Sequence, residues 1–363
     1  AETRTGAPPE LARVAADVAD ARAELELARL RLLRARAAFE RAAKLRSDAL
    51  GDDHPEVAVA KARLVPVLVA LGAPNLAVDA AQPGMNLADR VLGDKSSRAA
   101  YQKRAWAEAL LGAGRAADAV DALEDAREIQ RGLSIISSLD TAVIYDLLAR
   151  ADLAQSDFDG AETRAVLGEK ERESVPRREE RELSISRGVH AEVLRARGDA
   201  KGAVTKRREA IDLLVKQLGP EDARVAIARL ALAQDLARAG DDAGAMKQLE
   251  LGGARIEEVL GKGSAHFALF RVERARVLRG RGKHEEALEL FDDGWWTLDQ
   301  AWGSDHPAIG PLLTDRAEAS EATGDVETAK RLGGQAVQRC EKRLGSEHPE
   351  TKRARKLLER LGG

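Results

Sequence analysis

The chain has 363 residues, and its 58 Lys and Arg against 61 Asp and Glu leave a formal charge of −3 with both signs interspersed. That balance points away from nucleic-acid and membrane partners, and a single cysteine, Cys340, excludes an intrachain disulfide framework and a cysteine-built zinc site. The length exceeds one ordinary core, which leaves several domains or one elongated stack, and abundant Leu, Ala, Arg and Glu with 3% aromatics favour helices packed through small side chains.

The opening AETRTGAPPE lacks the basic and apolar build of a signal peptide, and runs such as Leu64 to Leu71 are too short to cross a bilayer. A cytoplasmic chain is expected, and a start without Met points to processing or to excision from something longer. Residues 10 to 48 include ELELARLRLLRARAAFERAAKL, which has no glycine or proline. They form either a hairpin turning at Leu30-Arg31 or one long helix.

From Leu50-Gly51 onward a 42-residue period takes over. It passes through Leu92-Gly93, Ser134, Pro176, Leu218-Gly219, Leu260-Gly261 and Trp302-Gly303 to Leu344-Gly345, without insertion or deletion. So constant a period is the mark of a solenoid whose units touch only their neighbours. Within each period lies a turn marker: Gly72, Gly114, Ser156, Gly198, Gly240, Gly282 and Gly324. Five residues later every copy has alanine, from Ala77 to Ala329. Seven further on every copy has glycine or alanine, from Gly84 to Ala336, and seven before the marker stand Val65, Ala107 and then only alanines up to Ala317. The pattern predicts two helices per period, joined at the marker and approaching closely wherever these small residues face each other.

The joints between periods read ALGDDHPEVA, AWGSDHPAIG and RLGSEHPETK. The acidic residue before His-Pro is expected to accept backbone donors at the start of the next helix, where proline is tolerated in the first turn. His54, His306 and His348 then mark a structural joint and not a metal site, since they belong to different units. Pro66 in RLVPVLVALG is expected to bend a helix that the period requires to be continuous. Glu169 to Arg187 reads as a solvated helix end and frayed joint. Trp106 falls at a packing position, and of Trp295 and Trp296 one indole should cover the crossing at Gly294 while the other is more exposed. Residues 349–361 should form a cap helix.

The joint, the marker followed by G-x-x-x-x-A and the 42-residue period resemble tetratricopeptide repeats of the kinesin-light-chain-like type, most strongly over residues 50 to 91 and 218 to 351. The resemblance implies an all-α, right-handed superhelical solenoid of antiparallel helix pairs. It would be a single domain over 1–363, with joints near 50, 92, 134, 176, 218, 260, 302 and 344. Depending on residues 10 to 48, the count is eight hairpins plus the cap, or seven behind a long first helix. First helices of this family line a concave groove for a peptide or a partner helix, often through an asparagine ladder. The equivalent positions here, such as Arg104-Ala105 and Asp146-Leu147, contain no asparagine, and only Asn75 and Asn86 occur in the chain.

A row six residues before each marker offers a different lining of mixed charge: Pro66, Glu108, Arg150, Glu192, Gln234, Arg276 and Glu318. Its members either link neighbouring units and face solvent or select a partner by electrostatic match. With Tyr101, Arg104 and Asp146 added, these residues from Glu108 to Glu318 are the expected groove. No catalytic constellation, metal site or cofactor is expected, because the histidines on helices stand singly and no glycine-rich phosphate loop occurs. The leading expectation is a non-catalytic adaptor for a protein or peptide ligand. Its rivals are a sensory module of a larger bacterial signalling enzyme such as a kinase, with other domains of a longer parent chain as partners, and a self-associating structural component.

Overall fold

The computed structural model describes residues 9–88, 96–133, 137–175, 180–303 and 306–362. The joints expected near 92, 134 and 176 lie outside these residues. Every regular element described is a helix, and the chain is an all-helical solenoid of paired antiparallel helices that divides into two compact units, Ala1–Arg197 and Gly198–Gly363.

In the first unit α1 (Pro9–Ala28) pairs with α2 (Leu32–Leu50), and α3 (Pro55–Ala62) with α4 (Val65–Ala70) packs on α5 (Pro74–Leu87). The pairs α6 (Ser97–Gly112) with α7 (Ala116–Gly132) and α8 (Ser138–Ala154) with α9 (Phe158–Glu173) follow, then α10 (Glu180–Arg197). The second unit starts with α11 (Ala200–Leu218). It continues with α12 (Ala223–Arg238) on α13 (Asp242–Leu260), α14 (Ala265–Gly280) on α15 (His284–Trp302), α16 (Ile309–Ala322) on α17 (Val326–Leu344), and ends with α18 (Pro349–Arg360). Residues 10 to 48 are therefore a hairpin.

One turn geometry recurs. The marker residue is left-handed in Gly72, Gly114, Gly240, Gly282 and Gly324, and equally in the non-glycines Leu30 (φ 57°) and Ser156 (φ 63°). The next residue donates its N–H to the carbonyl five positions back, as in Arg31 to Glu26, Arg115 to Leu110, Asp157 to Asp152 and Lys283 to Leu278, at 2.9–3.0 Å. This hydrogen bond closes the helix end and reverses the chain. Leu30 and Ser156 accept the steric cost of a β-carbon there because the surrounding contacts fix the turn. Asp157, Asp241 and Asp325 then cap the second helices by accepting from the N–H of Gly160, Gly244 and Thr328.

The small-residue ladders sit where helices cross. Ala77, Ala119, Ala161, Ala203, Ala245, Ala287 and Ala329 are each fully buried, as are Val65 and the six alanines from Ala107 to Ala317 at the matching position. A β-carbon on Gly252 would lie 2.5 Å from a ring carbon of Phe270 and 3.0 Å from the carbonyl oxygen of Ala226. The second helix α13 is thus wedged between its own first helix α12 and the next one, α14. Larger residues such as Phe39, Leu110, Leu123, Ile256 and Phe291 fill the remaining space. Cys340 is fully buried against Gly310, and burial pushes its thiol up to about 11. Trp295 packs against this core with the Arg316 guanidinium 4.7 Å from its ring, whereas Trp296 is 60% exposed.

Three expectations are corrected. Pro66 does not bend one helix but separates two: α3 ends at Ala62, Leu64 N–H turns back to the Lys61 carbonyl, and Pro66 sits in the first turn of α4. There its missing N–H costs nothing. At the His-Pro joints before α3 and α18 the cap is the histidine, not the acid before it. Nδ1 of His54, His306 and His348 accepts from the N–H two residues on, at 3.2, 3.1 and 3.2 Å. Finally, much of Glu169 to Arg187 is not solvated. Arg172 is buried with Nη1 2.5 Å from Asp146 Oδ2; it also donates to Ser186 Oγ, which in turn donates to Asp146 Oδ1 at 2.7 Å. Buried Glu169 lies 2.5 Å from Nδ1 of His190.

Replacing Ser156 with Gly removes the left-handed β-carbon at an exposed site, so urea unfolding should show a gain of about 1 kcal/mol. Burial holds His306 down at about 4 from its ordinary 6.5, and only the neutral ring can accept through Nδ1. The stabilisation is complete above pH 6.5 and is lost as pH falls through 4, so His306→Asn, which can accept the Ala308 N–H without titrating, should flatten the stability decline over that window. Asp146→Ala leaves Arg172 charged and buried and should destabilise the chain by about 3 kcal/mol in the same unfolding assay.

Candidate binding face

Residues seven apart on a helix stand two turns apart on one side. Seven before each member of the charged row lies an apolar residue: Tyr101 before Glu108, Val143 before Arg150 and Ile185 before Glu192 in the first unit. Ile227 before Gln234, Leu269 before Arg276 and Pro311 before Glu318 repeat this in the second. All are half-buried or, for Ile185, 39% exposed, while residues on the opposite side of the same helices, such as Ala142, Leu148 and Ala149 on α8, are fully buried. The first helices therefore keep one open side, carrying an apolar row beside a charged one. Sequence reading found only Tyr101 of the apolar row. Its signal was the same 42-residue spacing, masked because Val, Ile and Leu look like core.

In the first unit Arg104 lies over the Tyr101 ring at 5.1 Å from its centroid and donates to Asp140 at 3.0 Å. Arg150 donates to Glu192 at 3.3 Å, linking the same position of successive first helices. Burial raises the Glu108 carboxyl against the opposing pull of Arg104 and Arg150, and Glu108 forms no direct ion pair among the described residues. Burial also raises the Tyr101 hydroxyl. Asp146 lies behind this face rather than on it, because Arg172 and Ser186 hold its carboxylate inside. Pro66 is exposed on α4.

In the second unit the row is tied into a continuous network. Gln234 donates to Glu273 at 3.1 Å, and Arg276 donates to Glu273 at 3.1 Å and to Asp315 at 2.8 Å. Asp315, buried, also accepts from Arg279 at 3.1 Å and Arg353 at 2.7 Å. Burial works against its charge, but the three guanidiniums outweigh burial and hold the carboxyl below its ordinary range. Glu318 accepts from Arg353 Nε at 3.0 Å and from Arg279. The links join α12, α14, α16 and α18, so these charges fasten successive first helices as well as lining their open side.

Among the described residues no group of three or more His, Cys, Asp or Glu is arranged to hold a metal ion, and no helix is long and apolar enough to cross a membrane.

A family model described as tetratricopeptide repeat matches residues 313–350, which span most of α16, all of α17 and the last His-Pro joint. No curated protein sequence matches the chain. Among solved structures, a Rap protein complexed with Competence and Sporulation Factor aligns over 98% of this chain and 98% of its own, at 14% identity and a TM-score of 0.59. The signal transduction ATPase with numerous domains and a tetratricopeptide repeat sensor from Pyrococcus horikoshii aligns over 92% of this chain and 49% of its own, at 13% identity and a TM-score of 0.56. NprR in complex with its cognate peptide NprX aligns over 84% and 83%, at 11% identity and a TM-score of 0.55. With the recurring hairpin, these likenesses make the chain a helical-repeat solenoid of the tetratricopeptide-like kind.

Proposed function

We propose that the chain is a non-catalytic protein-binding scaffold that receives an extended peptide or a partner helix along the open side of its first helices. The observation that carries this reading is the pairing of rows: an apolar residue two helical turns from a charged or polar one, repeated every 42 residues. A ligand crossing successive first helices would meet an apolar contact from Tyr101, Val143 or Ile185, then a charge from Glu108, Arg150 or Glu192. In the second unit Gln234, Arg276 and Glu318 serve the same role, and Arg104 holds the Tyr101 ring in place. Mixed signs reject a ligand of uniform charge and favour one whose pattern matches, which is a source of specificity more than of affinity.

The repeat is best read as the kinesin-light-chain-like type, on its 42-residue period and LG-x-D/E-HP joints. Likeness to NprR in complex with its cognate peptide, and to Rap complexed with Competence and Sporulation Factor, supports a peptide as the ligand, with nucleic acid and membrane outside the reading and a cytoplasmic setting inside it. The ATPase with a tetratricopeptide repeat sensor favours a second reading, in which the same face regulates a catalytic domain of a longer parent chain.

The test is selection of peptides from a displayed random library on the immobilised chain, followed by fluorescence anisotropy with the recovered sequence. Glu108→Lys combined with Glu192→Lys should weaken binding by about tenfold or more, equivalent to about 1.4 kcal/mol, while far-ultraviolet circular dichroism stays unchanged. Recovery of no consensus, or binding indifferent to both substitutions, would sink the proposal.

A further inference from the structure

Between α13, α14 and α15 the second unit holds a cavity of about 560 Å3, with described helices of the repeat on both sides of it. It exists because this crossing departs from the repeat twice. Beside the close-packed Gly252 stands Gly253, where the other copies, at steps of 42, carry Met85, Arg127, Glu169, Ile211, Trp295 and Val337. A β-carbon on Gly253 would lie 3.6–3.7 Å from Phe270, an ordinary contact distance, so the space before it is open for want of a side chain. The second departure is Phe267. Its counterparts Val57, Ala99, Thr141, Leu183, Val225, Ile309 and Thr351 are all buried, none more than 8% exposed. Phe267 is only half-buried and lines the cavity.

Phe267, Phe270, Met246 and Leu290 form the apolar wall. Charge gathers around it unevenly. The Arg271 guanidinium lies 4.7 Å from the centroid of the Phe267 ring, with Nη1 3.5 Å from Asp293. Exposed Lys247, Arg274 and Glu250 also line the cavity and make no ion pair among the described residues. Glu257 is taken by Lys262 at 3.4 Å. The lining residues and their ion partners thus set four cations, Lys247, Lys262, Arg271 and Arg274, against three acids, Glu250, Glu257 and Asp293. One further negative charge completes the set. Planar guanidiniums match a carboxylate, while two aromatic rings and a thioether favour an aromatic body. Apolar walls with a few polar groups around this volume are the ordinary build of a small-molecule site.

We propose that this cavity binds a free, small aromatic acid, with its ring system against Phe267, Phe270 and Met246 and its carboxylate toward Arg271 and Arg274. The ligand stands in for the side chain that Gly253 lacks. One step further on, Trp295 supplies that packing covalently; here a bound ring tightens α13 against α14 and α15, so the acid stabilises the second unit by mass action. The site is separate from the peptide-binding face. Arg271 and Arg274 each lie two residues from a member of the paired rows, Leu269 and Arg276, about 200° round the helix. The proposal therefore stands or falls apart from that reading.

Calorimetric titration of the 363-residue chain with naphthalene-2-acetate should show a saturable site that holds the acid about tenfold or more tighter than the uncharged naphthalene-2-acetamide. Saturating acid should also raise the urea midpoint of the chain. Gly253→Met, which restores the side chain that the first copy carries, should abolish binding while circular dichroism is unchanged and the urea midpoint without ligand is kept or raised. Arg274→Gln, at an exposed position with no ion pair to break, reads the charge independently of packing: it should weaken the acid by about fivefold or more and leave the amide unchanged. Absence of saturable binding up to about 1 mM acid would overturn the proposal. So would acid and amide binding alike, or acid binding that survives Gly253→Met or Arg274→Gln undiminished.

Discussion

The structure rests on how closely two helix backbones can approach, and at each crossing that distance is set by a residue with one methyl group or none. Where Gly252 meets Phe270 and the Ala226 carbonyl there is no room for a side chain, and the buried alanines from Ala77 to Ala329 allow nothing larger without displacing a helix. Alanine contributes little apolar area, so cohesion has to come from many near-identical contacts, each between neighbours. Large residues such as Phe39 and Phe291 then occupy the gaps that the crossings leave.

This constraint explains why charge collects where it does. Crossings exclude polar groups, joints and turns consume them as caps, and the remainder gathers on the open side of the first helices. In the second unit that remainder is saturated, with three guanidiniums on the Asp315 carboxylate. A ligand there must compete with bonds already made. In the first unit Glu108 has no direct partner among the described residues and burial disfavours its charge, so a cation from a ligand would relieve it. The two units thus offer the same rows with different readiness to exchange partners.

What could be read from the sequence was whatever repeats without variation. Turn markers and alanine ladders declare themselves because each of seven copies supplies an independent sighting, and even the left-handed Leu30 sits in phase despite its side chain. What could not be read depends on single copies. Whether Pro66 bends or breaks its helix is settled by Arg63 and Leu64 adopting a tighter turn, which no other copy shows. His54 and His348 displaced the neighbouring acids as caps because Nδ1 reaches the N–H two residues on. The density of charge near Glu169 and Arg172 suggests water, yet their partners Asp146, Ser186 and His190 are brought in from other helices, a pairing invisible in linear order. Tyr101 announced one member of the apolar row; Val143, Ile185 and Leu269 could pass for core until their open side was seen.

The uniform 42-residue step carries a consequence for how such a chain changes over time. One residue inserted in a second helix would rotate everything after it by about 100°, turning the alanines away from their crossings and the paired rows away from any ligand. Loss or gain of a whole step leaves every later contact in phase. Growth of the molecule is therefore quantised: length can vary by entire modules, and the reach of the paired rows varies with it in the same increments.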